Sequence, residues 1–116
     1  MDEFSFNWPV YDLEIVDSTL VTVSDCLRVF DLSHNKSKAI LPGHNKVVNS
    51  VSMTKNGKAC VTGSVDKTVK IWSLGTKDCW HTLEGHGGPI TDVQQTLDLI
   101  VSSCVVDKTV RLWRKK

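Results

Sequence analysis

Two nearly identical phrases, DKTVKIW at residues 66–72 and DKTVRLW at residues 107–113, stand in a chain of 116 residues. The pair Gly43-His44 recurs in the same way, as Gly85-His86. A catalytic site is normally built once. A phrase that returns after about 40 residues, with both ends of the unit matching, is instead typical of a structural repeat. The sequence therefore predicts a protein assembled from repeated units.

A third, weaker copy of the unit lies upstream. Residues 25–32 align with residues 66–74 once one residue is deleted, and Phe30 then takes the place of Trp72. This copy has no Gly-His pair, so we expect its fold to depend on apolar packing. The residues assigned to that packing are Val10, Leu13, Ile15, Leu20, Val23, Leu27 and Phe30.

Each unit consists of short strand-like segments joined by turn signals. In the middle unit, β-branched and small residues dominate segments 47–53, 59–64 and 68–72, and a fourth segment follows at 79–83. Asn56-Gly57 separates the first two segments and is a strong hairpin signal, because both residues tolerate positive φ. No segment shows a convincing 3.6-residue apolar period, which is the signature of a helix. The sequence predicts an all-β chain.

The composition and charge argue against several classes of function. Hydrophobic residues make up 41% of the chain and charged residues 23%, and the net charge is only +1. A net charge this small gives no electrostatic basis for binding nucleic acid or an anionic membrane. No run approaches the roughly 18 apolar residues of a membrane span, and the acidic start Met1-Asp2-Glu3 does not fit a signal peptide. We expect a cytoplasmic or nuclear protein without a nucleic-acid or membrane partner.

The four cysteines do not have the spacing of a zinc site. Cys26, Cys60, Cys79 and Cys104 form no C-x-x-C pair, and structural zinc sites commonly contain such pairs. We expect reduced, mostly buried thiols, as is usual in intracellular proteins. The sequence predicts no metal site and no cofactor.

The repeated residues resemble a known family. The order Gly-His, hairpin, Thr/Ser-rich strand, Asp in a tight turn and strand ending in Trp resembles the WD repeat, which is the blade of a β-propeller. The dipeptide itself is altered to Trp72-Ser73 and Trp113-Arg114, and the first copy has Phe30-Asp31. The resemblance covers residues 8–113. It implies a partial β-propeller of about three four-stranded antiparallel blades, with the ring incomplete in one chain.

The resemblance divides the chain into four parts. We predict that residues 1–7 are an N-terminal arm or the outer strand of a neighbouring blade, and that residues 8–42 form a degenerate blade. Residues 43–84 form a WD-repeat blade, and residues 85–116 form a WD-repeat blade that lacks its fourth strand.

Three blades leave the ring open, because closed propellers typically have 4–8 blades. Three ways of covering the exposed ends remain. The chain is a fragment or short isoform of a longer propeller, or a second propeller chain supplies the missing blades, or two copies close a six-bladed homodimer. In the homodimer, the strand containing Phe4 and Phe6 of each copy completes the last blade of the other.

The resemblance also implies a hydrogen-bonded network in each of the two better blades. In the family, hydrogen bonds join four side chains of a blade. They are His from the loop that leads into the blade, Ser or Thr from the second strand, Asp from the next turn and Trp from the third strand. By position, the first network consists of His44, Thr62, Asp66 and Trp72. The second consists of His86, Ser103, Asp107 and Trp113.

The same residue types also permit a catalytic interpretation. His44, Ser64 and Asp66 are the residue types of a hydrolase triad. The set is duplicated, however, and the sequence has no Gly-x-Ser-x-Gly elbow and no phosphate-binding glycine loop. We therefore predict a protein that is not an enzyme.

Two functions fit this organisation. The first is a protein–protein interaction scaffold, because in the family the loop that leads into each blade and the turn before its third strand share one face that binds a peptide or protein. The residues assigned to that face are Asn45, Lys46, Val65, Gly87, Gly88 and Val106, beside Val105. The alternative is a structural subunit or short fragment that completes a larger propeller or multiprotein assembly, with no ligand of its own. Whether the valines contact a partner or only pack in their turns stays open.

Overall fold

The computed structural model describes residues 9–34 and 36–115. Within these ranges the chain forms eleven strands and no helix. The strands are β1 (Asp12–Val16), β2 (Thr19–Val23), β3 (Leu27–Asp31), β4 (Lys36–Leu41), β5 (Val48–Met53), β6 (Ala59–Ser64), β7 (Val69–Ser73), β8 (Asp78–Leu83), β9 (Asp92–Gln95), β10 (Leu99–Cys104) and β11 (Thr109–Arg114). The described part of the chain accordingly contains no helix long and apolar enough to cross a membrane. The predicted arm at residues 1–7 lies outside the described residues.

The strands form three antiparallel sheets in which each strand pairs with the next one along the chain. Strands β1–β4 form blade 1, β5–β8 form blade 2 and β9–β11 form blade 3. The prediction of an all-β chain made of propeller-like blades is confirmed, and the three sheets do not close a ring. Where one repeat unit ends and the next begins in the connecting loops remains a prediction.

The hairpin between β5 and β6 shows why the local Asn-Gly signal is sufficient to predict this turn. Gly57 adopts a φ of 71°, which is the left-handed conformation that glycine tolerates without strain. The Asn56 side chain accepts hydrogen bonds from the Thr54 hydroxyl at 2.7 Å and the Lys58 amide at 2.9 Å. The polar residues of the turn therefore satisfy one another, and the two strands leave the turn in register.

Consecutive blades are joined by the same backbone hydrogen bond. Strand β5 lies between β1 and β9, so the first strands of the three blades stand side by side. The Val48 amide donates to the Ser24 carbonyl at 2.7 Å across blades 1 and 2. The Ile90 amide donates to the Ser64 carbonyl at 3.0 Å across blades 2 and 3. The repeat in the sequence therefore produces the same contact at both blade–blade boundaries.

Apolar side chains fill the space between the blades in two clusters. The cluster between blades 1 and 2 contains Val21, Val23, Leu27, Val29, Leu41, Val48, Val51, Met53, Cys60, Trp72 and Leu74. The cluster between blades 2 and 3 contains Val61, Val69, Ile90, Val93 and Ile100, with Trp113 packed against it. Gly63 permits this second contact, because an added Cβ would lie 2.5 Å from Ile90 Cγ2. All four cysteines are free of disulfides, and Cys79 is exposed.

The expected packing of blade 1 is only partly correct. Val23, Leu27 and Phe30 are buried, whereas Leu13 and Ile15 are 55% and 53% exposed. Val10 is exposed too, and Leu20 is half-buried. Leu13 and Ile15 alternate along β1 with Asp12, whose carboxylate accepts from the Val51 amide of blade 2 at 3.1 Å. The two apolar side chains therefore point away from blade 2, toward the side of blade 1 that no described blade covers.

Candidate functional site

Blade 2 contains a continuous chain of side-chain hydrogen bonds from its loops to its core. His44 precedes β5, Thr62 lies on β6, Asp66 lies in the β6–β7 turn and Trp72 lies on β7. The distances are 2.9 Å from His44 Nδ1 to Asp66 Oδ2 and 2.7 Å from His44 Nε2 to Thr62 Oγ1. Trp72 Nε1 donates to Thr62 Oγ1 at 2.8 Å. The structure brings together all four residues assigned to this network.

The direction of the hydrogen bonds follows from the charge on Asp66. An ionised carboxylate only accepts, so His44 must carry its proton on Nδ1. Its Nε2 is then an acceptor for the Thr62 hydroxyl, and the Thr62 oxygen accepts from the Trp72 indole. Each polar group in this buried chain is thus satisfied by one tautomer of His44, which is the condition under which a buried network stabilises a fold.

The β6–β7 turn keeps Asp66 ionised. Asp66 Oδ1 accepts from the Thr68 amide at 2.9 Å and the Thr68 hydroxyl at 2.5 Å, and Oδ2 accepts from the Asn45 amide at 3.0 Å. Burial opposes ionisation, but the hydrogen bonds from Thr68, Asn45 and His44 outweigh it and lower the pKa of Asp66 to about 2. The pKa of His44 lies below its usual range because burial outweighs the attraction of Asp66, which favours the neutral imidazole.

The same turn explains why Asp-Lys-Thr is repeated. Lys67 has a φ of 77° and Lys108 a φ of 59°, so each turn holds its central lysine in a left-handed conformation. The aspartate before the lysine and the threonine after it close the turn by hydrogen bonds. A side chain that fixes its own turn in this way compensates for the strain of positive φ at a non-glycine residue.

Blade 3 repeats the network with one different member. His86 Nδ1 lies 3.0 Å from Asp107 Oδ2, while His86 Nε2 lies 2.8 Å from the hydroxyl of Ser102. Trp113 Nε1 donates to the same Ser102 oxygen at 2.9 Å. Hydrogen bonds from Thr109 and from the Gly87 amide hold the pKa of Asp107 well below its ordinary value.

The assignment of Ser103 to this network is wrong. Ser103 stands at the same distance before Asp107 as Thr62 stands before Asp66, but the turn after β10 is one residue longer. Cys104 pairs with Thr109, whereas in blade 2 the Ser64 amide donates to the Thr68 carbonyl. Side chains alternate along a strand, so a shift of one residue places Ser102 toward the core and Ser103 away from it.

The catalytic arrangement considered from the sequence is not assembled. The Ser64 hydroxyl donates to the Val47 carbonyl at 2.8 Å, and the His44 ring nitrogens contact Asp66 and Thr62 instead. His44 is therefore not in position to activate Ser64 as a nucleophile.

Blade 1 uses a different polar contact at the corresponding turn. Arg28 Nη1 contacts Asp25 Oδ1 at 2.7 Å and the Ser24 hydroxyl at 3.1 Å. The hydrogen bond from Arg28 lowers the pKa of Asp25. This arginine is buried on β3, and the repeat pattern does not predict its role because the networks of the other blades contain a histidine and a tryptophan instead.

The residues assigned to a binding face lie around the two networks. The amides of Asn45 and Gly87 donate to Asp66 and Asp107. Gly88 is buried and packs closely against Val106, so that a Cβ added to Gly88 would lie only 2.5 Å from Val106 Cβ. The β6–β7 and β10–β11 turns, which carry Val65 and residues 105–106, are thereby placed beside the loops that lead into their blades.

Exposure differs among these residues. Val105 and Val106 are 72% and 65% exposed. Asn45, Lys46 and Gly87 are exposed as well, whereas Val65 is half-buried. Among the valines assigned to this face, those on the longer turn of blade 3 are therefore the more exposed.

Substitution of the network serine by alanine tests the corrected assignment. We expect Ser102→Ala to lower the free energy of unfolding by about 1–3 kcal/mol, because His86 and Trp113 lose their shared partner in a buried site. Ser103→Ala is the matched control and should change it by no more than about 0.5 kcal/mol. Urea unfolding followed by tryptophan fluorescence measures both. Equal losses for the two variants, or a larger loss for Ser103→Ala, would contradict the assignment.

Comparison with known proteins agrees with this geometry. The family model of the WD domain, G-beta repeat, matches residues 35–73 and 77–114, which contain both networks. A probable E3 ubiquitin ligase complex SCF subunit sconB of Arthroderma benhamiae is 40% identical over 86 residues, covering 68% of this chain and 12% of that protein.

Two further relatives belong to other kinds of protein. A bromodomain and WD repeat-containing protein of Dictyostelium discoideum is 31% identical over 101 residues, covering 86% of this chain and 4% of that protein. The nuclear distribution protein PAC1 of Scheffersomyces stipitis is 39% identical over 70 residues, covering 52% of this chain and 13% of that protein. The chain thus spans a small part of the relatives that it matches. Because the family model covers more than half of its residues, the chain belongs to the WD40 repeat family.

Proposed function

We propose that the chain is a non-enzymatic protein-interaction scaffold whose loop face binds a peptide or a protein domain. The loop face consists of Asn45, Lys46, Val65, Gly87, Gly88, Val105 and Val106. The observation that carries the proposal is the exposed Val105–Val106 pair, which stands on a turn that the blade 3 network holds in place. Exposed apolar side chains on a rigid support are a common feature of interaction sites.

The charges near the loop face favour an acidic partner. Asp66 and Asp107 accept hydrogen bonds from their own blades. Lys46, Lys67 and Lys108 lie in the same loops and are exposed. A partner segment with an apolar side chain flanked by Asp or Glu would match both the valines and the lysines, and its binding would weaken as salt is added.

The relatives support a role in assemblies. The sconB proteins are described as probable subunits of an SCF complex, and the segment similar to this chain is a small part of their length. By analogy, the partner of the present chain is a protein in the cytoplasm or nucleus, and the chain itself contributes contacts rather than chemistry.

A double substitution on the loop face tests this function. Val65→Asp with Val106→Asp should reduce the amount of captured partner at least about tenfold, equivalent to about 1.4 kcal/mol, because it removes apolar contact and adds like charge to the face opposite an acidic segment. The measurement is quantitative mass spectrometry of proteins captured from the native cell by the purified chain.

Leu97→Asp is the matched control. Leu97 is 90% exposed in the turn between β9 and β10, at the opposite end of β10 from Val105. It should leave capture unchanged. Retention of every partner by the double variant, with an unchanged circular dichroism spectrum, would show that the loop face is not the binding surface.

The second candidate function is a structural subunit that completes a larger propeller. The observation that favours it is the pair of uncovered apolar faces at the two ends of the stack of blades. Leu13 and Ile15 are exposed on blade 1, and Val110 and Leu112 are 62% and 63% exposed on blade 3. Val110 and Leu112 alternate along β11 with Trp113, which packs toward blade 2, so they face outward. A second propeller chain, or a second copy of this one, would cover such faces.

Light scattering after size-exclusion chromatography distinguishes these occupants. Closure by a homodimer predicts a particle with twice the mass of one chain. Leu112→Lys should reduce this mass to that of one chain, because the substitution places a charge in the interface. Leu97→Lys, outside both end faces, should remain a dimer. A stable monomer of the unsubstituted chain would exclude homodimer closure and leave further blades of a longer propeller, or a second propeller chain, as the occupants of the end faces.

A further inference from the structure

Blade 3 brings three metal-ligating side chains together at its turn. The ligand atoms of His86, Cys104 and Asp107 all lie within 4.8 Å of one another. We propose that these three residues form a binding site for a divalent transition metal of the zinc class. A thiolate, an imidazole and a carboxylate form the kind of donor set that selects zinc over magnesium or calcium.

The spacing of two ligands is already close to that of a tetrahedral site. His86 Nδ1 lies 3.0 Å from Asp107 Oδ2. Two ligands that each bind zinc at about 2.0–2.1 Å in a tetrahedron are about 3.3 Å apart. The nitrogen and the oxygen therefore need to separate by only a few tenths of an ångström. The Cys104 sulfur, which lies within 4.8 Å of the other two ligand atoms, needs to approach them by at most about 1.3 Å.

The surroundings of His86 suit a metal ligand. In the hydrogen-bonded network Nδ1 carries the proton and Nε2 accepts from Ser102. On metal binding, Nδ1 coordinates, the imidazole proton moves to Nε2, and Nε2–H donates to the Ser102 oxygen. A ligating histidine whose second nitrogen is held by a polar partner is the usual arrangement in metal sites. The thiol releases one proton to become a thiolate, so one proton leaves for each metal ion bound.

Asp107 can bind a metal without losing its place in the turn. The amides of Gly87 and Thr109 continue to donate to its two oxygens. Its side chain is 19% exposed, compared with 7% for Asp66 in blade 2. This greater exposure of Asp107 gives a metal ion a route from solvent, which is also the source of a water molecule for the fourth coordination position.

Blade 2 provides an internal comparison that lacks the thiol. Ser64 and Cys104 each lie two residues beyond the network hydroxyl, Thr62 in blade 2 and Ser102 in blade 3, on the same face of the strand. The Ser64 hydroxyl is engaged by the Val47 carbonyl and the Asp66 amide. A neutral hydroxyl is a weak ligand for zinc, so the proposal applies to blade 3 alone.

Titration of the metal-free full chain with Co²⁺ tests the proposal directly. Co²⁺ occupies zinc sites and reports thiolate ligation by a charge-transfer absorption band. We expect one equivalent of Co²⁺ to produce this band, with ligand-field bands of tetrahedral coordination, and one equivalent of Zn²⁺ to abolish both. Cys104→Ser, which reproduces the serine of blade 2, should eliminate the charge-transfer band. Cys79→Ser, which changes an exposed cysteine, should retain it.

Two results would overturn the proposal. One is the absence of the band in the unsubstituted chain, and the other is its persistence in a folded Cys104→Ser variant. If that variant fails to fold by near-ultraviolet circular dichroism, alkylation of the unsubstituted chain during brief exposure to urea decides the matter. Zn²⁺ should slow the alkylation of Cys104, as read by mass spectrometry. Protection of Cys26 or Cys60 instead would assign the metal elsewhere and reject the site.

Discussion

The hydrogen bond between an ionised aspartate and the Nδ1–H of a histidine is the interaction on which the two better blades depend. It joins the turn between the second and third strands to the loop that leads into the blade, with Asp66 holding His44 and Asp107 holding His86. The aspartate is fixed first by its own turn, through the threonine two residues later. Its charge then sets the tautomer of the histidine, and the histidine sets the direction of the hydrogen bond to the hydroxyl that the tryptophan shares.

This constraint connects the fold with the surface. The loops and turns of a blade would otherwise be the parts least tied to the core. Because Asn45 and Gly87 donate to the same carboxylates, the loop face is anchored by groups that are themselves partly buried. A surface held in this way loses little conformational freedom on binding, which is an advantage for a recognition site. Blade 3 differs from blade 2 within this shared network in two ways. The Asp107 side chain is more exposed than that of Asp66, and Cys104 takes the place of Ser64.

Much of the architecture could be predicted because local signals and the repeat agree. The Asn56-Gly57 hairpin, the strands of blade 2 and the His44–Asp66–Trp72 network follow from residues whose chemistry is specific to their positions. The errors arose where a position in the sequence does not determine a position in space. One additional residue in the turn after β10 puts Ser102, and not Ser103, in the network of blade 3. Leu13 and Ile15 lie outward because, among residues 9–34 and 36–115, β1 has a neighbouring blade on one side only. The cluster of His86, Cys104 and Asp107 was missed because its members come from a loop, a strand end and a turn, so no motif spacing marks them.

The central claim is that Asp66 and Asp107 impose one tautomer on their histidines. Nitrogen-15 NMR of the chain in the presence of a chelator tests it most directly, because protonated and unprotonated imidazole nitrogens have well-separated chemical shifts. The account predicts a slowly exchanging proton on Nδ1 of both His44 and His86, with Nε2 of each ring accepting from the neighbouring hydroxyl. Protonation of Nε2 instead, or rapid exchange of the Nδ1 proton with water in both residues, would contradict it.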